Sequence, residues 1–296
     1  MTSPPPISLC VIAHREEKRI ARCLEAARPA VAEMVVVVQE PDDPTIAIAE
    51  ALGATVHRHP WEGYVAQKNV ALAQATQPWV LSLDADEVLD EELALAIAAI
   101  DFDRSEGVQA FAARRVDYFI DRWLEHGEPG RQYPTRLFRA GQARWYGGFV
   151  HEQLEIDGEG ERPRLPGRIR HYSNDSAHDF ALKLSRYARL FVAQQVASGR
   201  KSPSLAEIWV RANARFIKSY LLRRGFRDGY AGLVHALWLK AYTYERYAGL
   251  REYARNPGWR EEIDALLASH AEIDSVLLHG LDRLKTPGGK GRKQVG

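Results

Sequence analysis

Within its first 84 residues the chain passes four times through a short apolar segment and three times through a helix-patterned one. The apolar segments span 7–13, 34–38, 54–58 and 79–83. The segment at 34–38, Met-Val-Val-Val-Val, has no polar break, which suits a strand covered on both faces. Helical spacing runs through 16–27, 45–52 and 64–75, and Asp42, Asp43 and Pro44 mark the turn before the second helix. Strands and helices in strict alternation point to an α/β chain built on a mostly parallel, doubly wound, Rossmann-like sheet flanked by helices. Ligands of such sheets bind beyond the carboxyl ends of the strands, and the fourth apolar run ends at Asp84.

The residues there read Leu81-Ser-Leu-Asp84-Ala-Asp86-Glu87. Asp84 and Asp86 are two apart, so in extended backbone they point the same way. Carboxylates crowded together repel unless something neutralises them. A divalent cation with hard oxygen ligands, Mg2+ or Mn2+, does so. It would also hold phosphate oxygens and offset charge on a departing diphosphate. The competing reading is that these acids cap a helix at 90–100, whose dipole favours negative charge at that end.

Further along, 109–119 reads as a strand and 147–172 as loops and short strands. After Asp179 helical periodicity dominates through Leu250. The expected division is 1–178 for the catalytic part, 179–284 for a helical extension, and 285–296 for a Gly- and Lys-rich disordered tail. Charge follows the same division. Net charge is +1 overall, yet residues 180–255 carry 15 Lys or Arg against 4 Asp or Glu. Within 209–230, Arg211, Arg215, Lys218, Arg223, Arg224 and Arg227 interleave with Trp209, Phe216, Tyr220, Phe226 and Tyr230. Two readings stay open: a segment lying on an anionic membrane, or helices packed on the catalytic part or on a second subunit as a homodimer. No nucleic-acid motif accompanies the charge, so nucleic acid is not an expected partner. The two cysteines, Cys10 and Cys23, fall in apolar positions and suit a reducing compartment. The start of the chain lacks a signal-peptide pattern, and the most apolar stretch, 229–250, is broken by Lys240, Glu245 and Arg246. The expected location is cytoplasmic, with a peripheral place on the inner face of the membrane under the first reading.

Several ordered motifs together resemble family 2 glycosyltransferases of the GT-A fold, in particular the bacterial lipopolysaccharide core subgroup with its β-1,4-glucosyltransferases. They are Ala13-His-Arg-Glu-Glu17, Gly63-Tyr-Val-Ala-Gln-Lys-Asn69, Leu81-Ser-Leu-Asp-Ala-Asp-Glu87, Arg136-Leu-Phe138, Val150-His-Glu152, His171-Tyr-Ser173 and the Lys218–Gly229 run. The resemblance spans about residues 7–250 and implies an inverting hexose transfer in cell-envelope glycan synthesis. The donor would be a nucleotide-diphosphate sugar, and the acceptor a saccharide or a lipid-linked one. It implies that Asp84 sits near the donor ribose and that Asp86 binds the metal with His171. Ala13, Glu16, Gln67 and Lys68 would line the nucleotide pocket, and Glu152 would deprotonate the acceptor hydroxyl. Arg131, Arg136 and Arg139 are candidates for phosphate contacts. Where the subgroup carries an acid that touches the nucleotide base, this chain has Val38.

By their own chemistry these residues leave alternatives. Inverting transfer needs one base for the attacking hydroxyl and one electrophilic centre for the leaving group, and no covalent nucleophile. Glu152 fills the first role or is a surface acid on a hairpin, and Asp117 is the second candidate. His171 on its own is a histidine that a core can satisfy. A sugar-phosphate nucleotidyltransferase would want a glycine in the 13–17 loop to cradle a triphosphate, and there is none. A non-catalytic binding protein is the third reading, fed by the altered residue at Val38.

Overall fold

The computed structural model describes residues 4–148, 151–173 and 176–271. The expected tail at 285–296 and Val150 of the Val-His-Glu motif lie outside the described residues.

β1 (Ile7–Ala13), α1 (Ile20–Ala27), β2 (Glu33–Val38), α2 (Thr45–Ala51), β3 (Thr55–Arg58), α3 (Tyr64–Ala73) and β4 (Trp79–Asp84) follow the expected alternation. Their strands are parallel, in the order β3-β2-β1-β4. Alternate residues of one strand go to opposite faces. Leu9, Val11, Val36 and Val38 join the core under α1, while Cys10, Val35 and Val37 join the core under α3. Both faces of β1 and β2 are therefore dry, which is why their sequence shows no polar alternation. α1 starts at Ile20 rather than residue 16. The backbone N–H of Glu16 is taken by Thr45 Oγ1 at 2.9 Å, which ties this turn to the neighbouring loop and delays the helix.

The second half departs from the parallel expectation. It contains β5 (Glu87–Leu89), α4 (Glu91–Ala98), β6 (Ala110–Phe119), β7 (Arg122–Leu124), β8 (Thr135–Arg139), β9 (Ala143–Gly148), β10 (His151–Ile156) and β11 (Arg164–His171). The sheet continues as β4-β8-β6-β11-β5, with β7 on β6, and β9 and β10 form a separate hairpin. β8 is antiparallel to both β4 and β6, whereas β11 is parallel to β6 and antiparallel to β5. The stretch read as loops and short strands thus holds an eight-residue strand inside the sheet. Arg164, Pro166, Gly167, Arg168 and Arg170 interrupt its apolar pattern and hide it. Gly167 is required there: its φ is +84°, and a Cβ would lie 2.3 Å from the Leu93 backbone nitrogen. Beside it Asp90 caps α4, accepting from Leu93 N at 3.0 Å and from Arg168 N at 2.9 Å. Asp90, not Asp84 or Asp86, therefore does the capping.

Four long helices complete the described chain: α5 (Ala177–Ala197), α6 (Leu205–Phe216), α7 (Gly229–Tyr253) and α8 (Pro257–Ala271). The side chains of Ser176 and Ser204 cap α5 and α6. None of the described helices is long and apolar enough to cross a membrane. The helices join the sheet through polar clamps: His126 Nδ1 lies 2.8 Å from Asp228 Oδ1, and Glu128 pairs with Arg215 at 2.6 Å.

Between them sits His235, buried against Phe119 and stacked on Phe180 with ring centroids 5.3 Å apart. Burial holds its pKa down at about 4, against 6.5 for a free imidazole. The unfolded chain therefore binds a proton below pH 6.5 that the folded chain refuses until about pH 4. Stability from this group is complete above pH 6.5 and is lost as pH falls towards 4, by about 3 kcal/mol in all. His235→Leu is expected to flatten that part of the stability–pH curve, read by urea unfolding at steps between those two values. An unchanged slope would show that His235 is not buried as a neutral ring.

Candidate active site

The carboxyl ends of β1, β2 and β4 are level: Ala13 pairs with Val38, and Ile12 with Asp84. Asp84 is the last residue of β4, and a two-residue turn, Ala85-Asp86, reverses the chain into β5. The two aspartates are thus not in one extended segment, and their side chains part. Asp84 faces Lys68 from α3, Nζ to Oδ1 2.8 Å, and Arg136 from β8, Nη2 to Oδ2 3.1 Å. Asp86 faces His171, Oδ2 to Nε2 3.4 Å.

His171 arrives by strand pairing. β11 lies between β6 and β5, so His171 is level with Asp117 on one side and Glu87 on the other. Its Nδ1 is 2.8 Å from Asp117 Oδ1, which fixes the ring with Nε2 towards Asp86. Arg115, two residues before Asp117 and so on the same face of β6, reaches Glu87 at 3.2 Å. Glu87 is fully buried; it accepts from Arg136 at 2.6 Å and from the Asp84 backbone N–H at 3.2 Å.

The premise of unpaired carboxylates is therefore corrected. Asp84, Asp86, Glu87 and Asp117 are met by Lys68, Arg115, Arg136 and His171. Burial pushes the pKa of Asp84 up, but Lys68 and Arg136 hold it well below the usual carboxylate range. Burial likewise opposes ionisation of Asp86 and Asp117, and bonding to His171 outweighs it. For His171 burial favours the neutral ring, yet Asp117 and Asp86 raise its pKa to about 10. The network is balanced with the imidazole charged.

Other residues, expected and not, fall around this centre. Trp145 of β9 lies beneath Lys68, whose Nζ is 4.5 Å from the ring centroid, and near Arg136 at 5.6 Å. Asn69, the last residue of the Gln-Lys-Asn motif, pins the Trp145 backbone with two hydrogen bonds of 2.9 and 2.8 Å. Gln67 is buried and donates to the carbonyls of His59 and Pro60, shaping the loop before α3. Its Oε1 has no partner among the described residues. Glu16 sits half-buried beyond β1 with Arg19 at 3.1 Å, and Ala13 closes that strand. Glu152 on β10 is half-buried opposite Gly147. Together with burial and Tyr64, its charge helps push the Tyr187 hydroxyl up to about 12.

Two candidates for phosphate contacts stand outside this cluster. Arg139 is at the far end of β8, bonded to the carbonyls of Val108 and Ser105 and stacked on Trp79. It fastens the sheet and faces no ligand. Arg131 is exposed at the end of a short turn and joins none of these contacts. Val38 is completely buried and packs into the core under α1, so the valine itself faces no nucleotide base. Arg115 and Trp145 went unnoticed in the sequence. For Arg115 the only signal is its i, i+2 spacing to Asp117.

A family model described as Glycosyl transferase family 2 matches residues 8–152. An uncharacterized glycosyltransferase of Rickettsia felis is 31% identical over 264 residues, 83% of this chain and 89% of that one. The chain belongs to glycosyl transferase family 2. Lipopolysaccharide core biosynthesis glycosyltransferase LpsC of Rhizobium meliloti is 28% identical over 256 residues, 82% of this chain and 93% of LpsC. Among solved structures, TarS of S. aureus is 16% identical over 84% of this chain and 91% of that one, with a TM-score of 0.39. That likeness is too slight to carry an argument. As a family 2 member the protein is a glycosyltransferase, which decides against the nucleotidyltransferase and the non-catalytic binding protein. The GT-A fold that the motifs imply agrees with the architecture seen: a sheet flanked by helices, acids at the exit of β4, and helices after residue 176.

Proposed function

We propose that the protein transfers a hexose, with inversion, from a nucleotide-diphosphate sugar to a saccharide or lipid-linked acceptor in cell-envelope glycan synthesis. The observation that carries this reading is the meeting of Asp86 and His171 at the carboxyl edge of the sheet, beside the Asp84–Lys68–Arg136 group. The division of labour follows the chain: 1–178 would hold the donor chemistry, and 179–284 would shape the acceptor side.

The pair Asp86 and His171 would fit a hard divalent cation, Mg2+ or Mn2+, once the imidazole gives up its Nε2 proton, with Asp117 still holding Nδ1. Their donor atoms are 3.4 Å apart. Adjacent ligands about 2.1 Å from one ion would be separated by about 3 Å. Among the described residues no set of three His, Cys, Asp or Glu side chains could hold a metal by itself. The pair alone would leave positions for phosphate oxygens. When bound, the ion would supply electrophilic stabilisation of the leaving diphosphate.

The chain's own groups do the rest. Lys68 and Arg136, now on Asp84, form a cationic wall beside the turn, where a diphosphate could compete for their protons. Asp84 would then be released towards the donor ribose. Gln67, Glu16 and Ala13 shape the floor beyond β1 on which the nucleotide would lie. Glu152 is the base of choice: it is half-buried on β10, and its charge acts on Tyr64, Tyr187 and Arg136 of the same region. Asp117, the second candidate for the base, suits a different role. It is bound to His171 and held ionised, so it would orient that ring rather than accept a proton from substrate.

Incubation with a panel of nucleotide sugars, with and without Mn2+, tests the reading through release of nucleoside diphosphate. Release that ignores the metal, or no release from any donor, would count against it. Glu152→Gln is expected to lower kcat by about a thousandfold with little change in donor binding, as loss of a general base does. Wild-type turnover in that variant would move the base role elsewhere.

A further inference from the structure

The helical part carries a face that none of the described residues covers. α6 runs on through a π-helical segment, Ile217–Leu222, and together they have two sides. Ile208, Ala212 and Ser219 are buried on one side. Trp209, Val210, Ile217, Leu221 and Leu222 are exposed on the other, and Tyr230 follows at the start of α7. Trp209 is 66% exposed, Leu222 71% and Tyr230 69%, values far above those of a packed helix face. A run of large apolar side chains so open to water marks a contact surface.

The charges around it choose the occupant. Between residues 205 and 230 the only acids are Glu207 and Asp228. Glu207 is bonded to Arg211 at 2.7 Å, and Asp228 to His126 at 2.8 Å. Lys218, Arg224 and Arg227 are exposed and make no ion pair among the described residues. A second copy docked by a two-fold axis would bring two such basic faces together, with no free acid between 205 and 230 on either to meet them. An anionic lipid surface offers phosphates to the cations and an interfacial layer to the tryptophan and leucines.

We propose that this face docks on an anionic membrane surface, with Trp209 and Leu222 in the head-group layer and Lys218, Arg224 and Arg227 on lipid phosphates. The same segment is clamped to the loop after β7, through Gly127 N to Arg223 O at 2.9 Å and His126 to Asp228. β7 pairs with β6, the strand of Arg115 and Asp117. Docking would therefore hold the site at a fixed orientation to the bilayer. None of the face residues belongs to the ion-pair network of the site, so the proposal stands or falls apart from the transfer mechanism.

The test is co-sedimentation of the full chain with phosphatidylcholine vesicles, alone or with about 30 mol% phosphatidylglycerol. Binding is expected to the anionic vesicles only and to fall as salt rises. The triple variant K218Q/R224Q/R227Q is expected to lower the partition coefficient by about a hundredfold. Trp209→Ser with Leu222→Ser is expected to weaken binding while keeping its salt dependence. Both variants should retain the wild-type melting temperature, since all five side chains are exposed. Three results would overturn the proposal: no binding of wild type to anionic vesicles, equal binding to neutral ones, or a solution dimer that Trp209→Ser dissociates. The wild-type salt titration alone decides the electrostatic part, even where a variant fails to fold.

Discussion

Asp86→Asn is expected to lower turnover roughly a thousandfold while leaving the fold intact, the loss typical of removing one electrophilic contact from a leaving group. The reason lies in how the two aspartates are held. Asp84 has both oxygens engaged, one by Lys68 and one by Arg136. Among the described residues the Asp86 side chain bonds through Oδ2 alone, to His171, which leaves its other oxygen for a new ligand. An amide keeps the size of the side chain but removes its charge, and with it the affinity for a hard cation. Mn2+ binding, read by titration calorimetry in the presence of nucleoside diphosphate, should weaken in step with turnover. Full turnover in this variant would remove Asp86 from the mechanism.

The second large effect is on stability. Arg136→Met is expected to cost about 3–5 kcal/mol, because it strands buried carboxylates rather than because the pair itself contributes that much. Both the Arg136 and Glu87 side chains are almost out of reach of water, at 8% and 0% exposed. Removing the guanidinium leaves Glu87 with Arg115 and the Asp84 amide, and leaves Asp84 with Lys68. The measurement is urea unfolding of the wild type, of each single variant and of Arg136→Met with Glu87→Gln. If the stranded charge is the cause, the double variant recovers a good part of the loss. A double variant as unstable as the sum of the two singles would point to packing against Trp145 instead.

Much of the fold was legible because burial on two faces leaves a plain mark. The β-branched run before Val38 and the apolar run before Asp84 have no polar breaks, and each became a strand within one residue of its expected limits. The second half was harder to read. β11 is broken by arginines, a proline and a glycine, each of which has a local reason supplied by a neighbour distant in sequence. Gly167 makes room for the start of α4, and Arg168 bonds through its backbone to Asp90 and through its side chain to Glu125. No window of local sequence contains those neighbours.

The site divides in the same way. Sequence by itself determined that acids stand at the exit of the fourth strand, and the family resemblance of its motifs set His171 beside Asp86 but gave Lys68 and Arg136 to the nucleotide and its phosphates rather than to Asp84. It also laid a basic, aromatic stretch across 209–230. Only the tertiary structure decided who meets whom. Asp84 and Asp86 part because a tight turn falls between them, and the register of β11 against β6 and β5 brings His171 to Asp117, Glu87 and Asp86. The physical reason is range. Hydrophobic periodicity is written in neighbouring residues, whereas charge neutralisation is settled by whichever strands are paired. Residues 16 to 52 positions apart in the chain then compensate one another across a few ångströms.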